Sequence, residues 1–240
     1  MAIERQTKVY DGPGGPFEGV FAHDAAAAAQ RPGVLILPNV LGQKEADNWV
    51  AERMAGVGYV GFVADVFGQG KRAERGPDMG RYMNECLADR AQLRDRLAAS
   101  LATLKAHPAV DAAKTAAIGF CFGGLCVLDL ARSGQDVLGG VSFHGVFHRP
   151  DYANVSPIAM KLLVSHGWDD PLAKPDAVVA LAAELTEGKA DWQLHAFGDT
   201  GHGFTDESAA GLGVPGVGYQ PRSAARGWRA ADDFLAELFG

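Results

Sequence analysis

The chain has 240 residues, 48% of them hydrophobic and 21% charged, and a formal net charge of -7. That length and apolar content suit one α/β domain spanning residues 1–240, with a sizeable core. The acidic balance shows no basic stripe for nucleic acid, and no apolar run approaches the ~20 residues of a membrane span.

Met1 to Lys8 lacks the apolar core of a secretion signal, and the three cysteines, Cys86, Cys121 and Cys126, have no disulfide-framework spacing. A reducing cytoplasm is the expected location. No Cys or His cluster has zinc-ligand spacing. His144 and His148 are four apart but follow a strand and lack a third ligand, so neither metal nor cofactor is expected.

In chain order, Thr7 to Tyr10 and Phe17 to His23 predict two short strands joined by the turn Asp11-Gly-Pro-Gly-Gly-Pro16. The alanine-rich stretch from Asp24 to Gln30 is a connector. Gly33 to Pro38 is a continuous apolar run, as expected of a strand buried on both faces. A helix over Lys44 to Val57 and a strand over Tyr59 to Ala64 follow. One long helix is predicted from Met79 to Ala106, with Leu87, Leu93, Leu97, Leu101 and Leu104 at helical spacing. Then come a strand over Lys114 to Gly119, a helix over Phe122 to Arg132, and strands over Val137 to His144 and Lys161 to His166. A helix over Pro175 to Thr186, a strand over Asp191 to Phe197 and a helix over Arg222 to Phe239 complete the chain. Alternating strands and helices predict a mostly parallel central sheet with helices on both faces.

Gly119-Phe-Cys121-Phe-Gly123 stands where a strand gives way to a helix. That is the pattern of a nucleophile elbow, with cysteine in the usual serine position. Glycines let strand and helix approach around a sharp bend, and the N-terminus of the following helix favours a thiolate. Catalytic partners in such a sheet gather beyond the carboxyl ends of later strands. Asp169 and Asp170 follow one such strand, and His202, flanked by Gly201 and Gly203, follows the last. The order Cys121, then an aspartate, then His202 is that of the α/β-hydrolase fold. Cys121 would attack a carbonyl carbon to form a thioester, His202 would handle the proton, and the aspartate would orient the imidazole. The expected oxyanion donors are the backbone N–H groups of Phe122 and Val40.

The chain resembles the dienelactone hydrolase family over nearly its whole length. The resemblance rests on Pro38-Asn-Val-Leu-Gly42, Gly119-Phe-Cys-Phe-Gly-Gly124, His166-Gly-Trp-Asp-Asp-Pro-Leu172 and Gly201-His-Gly-Phe204. It implies that Asp170, three residues after the glycine, is the triad acid. Two positions depart from the family pattern. The glutamate that partners the resting thiol in well-known members is replaced by Asn39, and the arginine four residues after the histidine is replaced by Asp206. An acidic group there would repel an anionic substrate. The resemblance therefore implies neutral esters or lactones, with Asn39, Phe67, His144, Trp168 and Phe204 lining the cleft. Arg72, Arg75 and Arg81, in a variable loop and the helix after it, are candidates to supply positive charge. The sequence is also similar to family members that hydrolyse phosphotriesters, whose P=O group can use the same donors. A monomer or homodimer acting on a small molecule is implied. The rival classes are a redox thiol protein, which the absence of a Cys-x-x-Cys motif disfavours, and a silent binding protein, which the set of three residues disfavours.

With asparagine in place of glutamate, Cys121 and His202 are expected to form an ion pair at rest. Alkylation of Cys121 by iodoacetamide should then titrate below the ~8.5 of a free thiol. Asn39→Glu should move that midpoint upward, since an added carboxylate disfavours a nearby thiolate. A free-thiol midpoint in the unsubstituted protein would remove the pair.

Overall fold

A computed structural model describes residues 2–240. Its strands and helices are β1 (Ile3–Tyr10), β2 (Phe17–Asp24), β3 (Arg31–Leu37), α1 (Asn48–Gly56), β4 (Val60–Val63), α2 (Arg81–Ala88), α3 (Arg90–Lys105), β5 (Val110–Phe120), α4 (Phe122–Arg132), β6 (Gly139–Phe143), β7 (Lys161–Gly167), α5 (Pro175–Glu187), β8 (Trp192–Phe197) and α6 (Pro221–Phe239). The strands fall in one sheet in the order β1-β2-β4-β3-β5-β6-β7-β8. The pairs β3–β4, β6–β7 and β7–β8 are parallel; β1–β2 and β2–β4 are antiparallel. This is an α/β fold with a mostly parallel sheet. The chain divides into two compact units, Met1–Ile118 with Pro150–Tyr152, and Gly119–Arg149 with Ala153–Gly240.

In the first unit, the β1–β2 hairpin closes at Tyr10 opposite Phe17. The Tyr10, Phe17, Phe21 and Phe62 rings pack together, with Phe21 and Phe62 stacked at 4.1 Å between centroids. β1 begins at Ile3, four residues earlier than the sequence predicts. Seven of its eight side chains are exposed, so no alternation of polarity marked the extra residues; backbone pairing to β2 alone defines them.

The helix expected from Met79 to Ala106 is two helices. Asp89 leaves helical geometry (φ -135°, ψ 82°), and its carboxylate accepts the Gln92 N–H at 2.8 Å, capping α3. The periodic leucines continue across this break, which hid it. A capping aspartate outcompetes continuation of the helix through that position.

In the second unit, β6, β7 and β8 run parallel and in register, Val141 opposite Leu163 and Leu163 opposite Gln193. Buried Arg132, the last residue of α4, joins three segments. Its Nε and Nη2 donate to the two Glu184 oxygens of α5 at 2.8 and 2.9 Å. Nη1 reaches Asp129 at 3.3 Å, and the guanidinium also donates to the carbonyls of Phe147 and His148. Burial disfavours the Glu184 carboxylate, but the hydrogen bonds from Arg132, Arg149 and Asn154 prevail and hold its pKa below the ordinary 4.5.

A depressed carboxylate pKa contributes stability above the ordinary value, and this is lost as the pH falls through the folded value. Glu184→Ala should destabilise the protein by about 3 kcal/mol in urea unfolding, because it strands a buried guanidinium. The variant should also lose part of the acid sensitivity of the parent below about pH 4.5. Unchanged stability would mean that Asp129 and the two carbonyls suffice for Arg132.

Candidate active site

β5 ends at Phe120, α4 starts at Phe122, and Cys121 makes the turn between them with φ 54° and ψ -114°. A non-glycine residue in such a conformation costs of order 1–3 kcal/mol and persists only where its surroundings over-determine it. Here they do. A Cβ on Gly119 would overlap the Gly123 carbonyl, and one on Gly124 would come within 2.8 Å of the Gly145 Cα. The Leu125 N–H closes on the Cys121 carbonyl at 3.2 Å. The Cys121 N–H points to the Phe143 carbonyl at 3.0 Å and to His144 Nδ1 at 3.2 Å. All three cysteines are free thiols; Cys86 and Cys126 are buried, whereas Cys121 is partly accessible.

His202 lies in the loop after β8. Its backbone is clasped by a later segment: the His202 N–H donates to the Gly216 carbonyl at 2.8 Å, and the Gly218 N–H donates to the His202 carbonyl at 3.0 Å. Glycine at 201 is required, since a Cβ there would overlap the Gly216 carbonyl. The His202 Nδ1–H donates to Asp170 Oδ2 at 2.7 Å. The other Asp170 oxygen accepts the Leu172 N–H at 2.8 Å. Asp169, the competing acid, instead accepts the Thr200 N–H at 3.2 Å. The geometry thus pairs His202 with Asp170.

Burial works against a charged His202. The Asp170 hydrogen bond, followed by the influence of the Cys121 sulfur, outweighs it and pushes the imidazole pKa up to about 10. His202 Nε2 is buried with no hydrogen-bond partner among the described residues, so the sulfur acts on the ring without an aligned S···N hydrogen bond. Two further histidines stand near. His144 is buried and held well below the ordinary imidazole range by burial and by His202. His166, on β7, is buried with both nitrogens lacking partners among the described residues; burial lowers its pKa, and Asp170 offsets this only in part.

The other expected site residues are placed as follows. Phe122 is buried at the head of α4. Trp168 is 43% exposed, two residues before Asp170, with Leu172 also exposed. Phe204 does not line a cleft. It exposes no surface and packs against Phe143, His144 and Phe197. The glycine-flanked histidine motif turns that ring inward as a core residue. His144 is likewise enclosed, and its polar contacts go to protein atoms.

Asn39, Val40 and Phe67 belong to the first unit. Asn39 Oδ1 accepts the Leu41 N–H at 3.0 Å, and buried Phe67 packs on Tyr82. Arg72 donates to Gln43 and to the Glu18 carbonyl and pairs with Asp65 at 3.4 Å; Arg81 pairs with Glu85 on the surface. In the second unit, Asp206 caps the short turn Glu207–Ala209, accepting from the Ser208 N–H at 2.9 Å. Among the described residues, no group of three or more His, Cys, Asp or Glu could hold a metal ion, and no helix is long and apolar enough to cross a membrane.

Sequence reasoning missed Thr205 and the clasping segment around Gly216. Three closely spaced glycines, 211, 213 and 216, were the available signal; all take positive φ.

An accessible cysteine at a strand–helix elbow and a buried His–Asp pair on later loops of a mostly parallel sheet are the features of an α/β hydrolase. The chain belongs to the dienelactone hydrolase family, whose sequence profile matches residues 17–239. It is similar to the solved structure m3DLH, at 34% identity and a TM-score of 0.93 over 100% of both chains. It is similar as well to P91, a dienelactone hydrolase-like promiscuous phosphotriesterase from metagenomic libraries, at 33% identity and 0.91 over 100% of both chains. Uncharacterized protein K02A2.1 of Caenorhabditis elegans is 37% identical over 155 residues, 62% of this chain and 95% of that protein.

The raised His202 pKa has a stability consequence. Its contribution is fully present below the ordinary value of 6.5 and is lost as the pH rises toward about 10. Urea unfolding should therefore show falling stability across that interval, and His202→Phe should flatten the slope. An equal slope in both proteins would assign the loss to other groups.

Proposed function

We propose that this protein hydrolyses neutral carboxylic esters or lactones through Cys121, His202 and Asp170. The observation that carries the reading is the strained, accessible Cys121 at the head of α4, in the same unit as a His202–Asp170 pair at 2.7 Å. The Cys121 thiolate attacks the carbonyl carbon. The developing oxyanion is assigned to backbone N–H groups at the N-terminus of α4, with that of Phe122 the expected donor. His202, as imidazolium, gives its proton to the departing alkoxide, which leaves as alcohol or, for a lactone, as the free end of the opened ring. Water, deprotonated by the now neutral His202, then hydrolyses the thioester, and the carboxylic acid departs. Asp170 holds the imidazole in orientation and supports its charge.

Neutral substrates follow from the charges. Asp206 adds an acidic group four residues after His202, while Arg72 is committed to Asp65, Gln43 and backbone carbonyls and Arg81 to Glu85. Three free cysteines suit a reducing compartment.

A second reading is favoured by the full-length likeness to a promiscuous phosphotriesterase. In it, the thiolate attacks phosphorus, a P–S bond forms as the aryloxide leaves, and water cleaves the cysteinyl-phosphate.

Hydrolysis of p-nitrophenyl butyrate and of paraoxon tests both. Cys121→Ala should lower kcat by about 10³-fold or more on any substrate the protein turns over. Asp170→Asn should lower it by about 10²–10⁴-fold. Turnover retained by Cys121→Ala would assign the chemistry to another residue. Paraoxon turnover at or above the ester rate would favour the second reading.

A further inference from the structure

We propose that His144 is a positioning residue that ties the backbone of the nucleophile to the loop carrying the general base, and so sets the separation of Cys121 and His202. The functional part of this inference rests on the cysteine-triad reading above; the tie itself is a matter of geometry.

His144 follows β6 directly and holds a positive φ of 37°, a conformation that side chains other than glycine rarely adopt. Its N–H donates to the Ser165 carbonyl of β7 at 2.8 Å, which fixes the start of the ring. Nδ1 then accepts the Cys121 N–H at 3.2 Å, a donor shared with the Phe143 carbonyl at 3.0 Å. An accepting Nδ1 places the ring proton on Nε2, and Nε2–H donates to Thr205 Oγ1 at 2.8 Å. Thr205 lies three residues after His202. One imidazole therefore bridges the elbow and the base loop, two segments 84 residues apart in sequence (Cys121 and Thr205).

The bridge works only while His144 is neutral. A proton on Nδ1 would break the bond to the Cys121 N–H. It would also place a second cation against His202, whose ring stands edge-on at 5.1 Å between centroids. The titratable groups that act on His144 are His202 and His166; Asp170 acts on both of these, the Cys121 sulfur acts on His202, and the Phe120 and Phe204 rings adjoin His144. No water needs to enter, since both ring nitrogens are satisfied by protein. Burial holds the ring neutral, so the positive charge of the site resides on His202. A bulky apolar residue at 144 would fill the space without either bond, and a tyrosine would offer no acceptor at the Nδ1 position.

Thr205→Val removes one end of the tie at nearly constant volume. Expected are a roughly tenfold fall in kcat on p-nitrophenyl butyrate with KM within about twofold, the pattern of a lost transition-state alignment. The midpoint of Cys121 alkylation by iodoacetamide should rise by at least half a pH unit. Thr205→Ser should restore both. An unchanged alkylation midpoint in Thr205→Val, whatever happens to Tm, overturns the proposal, because mere packing would not move it. Imidazole ¹⁵N NMR of the unsubstituted protein should show Nδ1 of His144 unprotonated from pH 5 to 9. A His144 that titrates in that range overturns the proposal even if Thr205→Val fails to fold. Hydrolysis retained by Cys121→Ala would instead overturn the triad reading, leaving the alkylation and NMR results to judge the tie.

Discussion

A missing side chain at position 119 is the constraint on which the candidate site depends. The Gly123 carbonyl occupies the space that a Cβ there would need, so β5 and α4 meet more closely than any other residue would allow. That approach forces the bend onto Cys121, which takes a left-handed φ at a cost of order 1–3 kcal/mol. The surrounding structure holds the strain through the Leu125 N–H on one side and the β6 end on the other. The thiol is thereby lifted out of a core in which the other two cysteines are submerged.

Charge is distributed around this bend by burial rather than by counter-ions alone. His144, His166 and His202 lie close together, and a site with three imidazolium ions would repel itself. Only His202 has a buried carboxylate on its ring. Desolvation drives His144 and His166 toward neutrality, while Asp170 and Cys121 carry His202 the other way. Pushing neighbouring titratable groups apart in this manner is how one cavity assigns distinct proton roles to chemically identical side chains.

Much of this was legible in the sequence, for definite reasons. α4 was predicted with the bounds observed, because a glycine-rich turn marks its start and the apolar run defines its body. Strands β3, β4 and β7 were found within a few residues, since buried strands are continuous apolar runs, and the edge strand β8, which has no buried residue, was found from its alternation of apolar and polar side chains. The pairing of Asp170 with His202, which the resemblance implied, agrees with the observed 2.7 Å hydrogen bond, while Asp169 is occupied by a backbone amide. What escaped was set by contacts rather than periodicity. The break at Asp89 interrupts no hydrophobic stripe. The edge strand β1 buries too little to show alternation. Phe204 is apolar and close to His202 in either reading; only its burial distinguishes core from cleft. Thr205 carries no motif at all, and its role depends on a ring 61 residues earlier.

The two substitutions at Asn39 and Asp206 acquire a common meaning when set against these contacts. Asn39 and Asp206 each spend a side-chain oxygen on a local backbone N–H, at Leu41 and Ser208 respectively. Arg72 is bound into its own unit by Asp65, Gln43 and carbonyls. On the reading proposed above, a neutral ester or triester needs only a polarisable centre and donors for its oxygen, and no cationic partner. Substrate charge and nucleophile state are then linked. On the same proposed reading, a neutral substrate brings no ligand charge with which to trigger ionisation of a resting thiol. On that reading, the raised proton affinity of His202, which the Asp170 hydrogen bond and the Cys121 sulfur support against burial, is the protein's own means of keeping an imidazolium beside the sulfur.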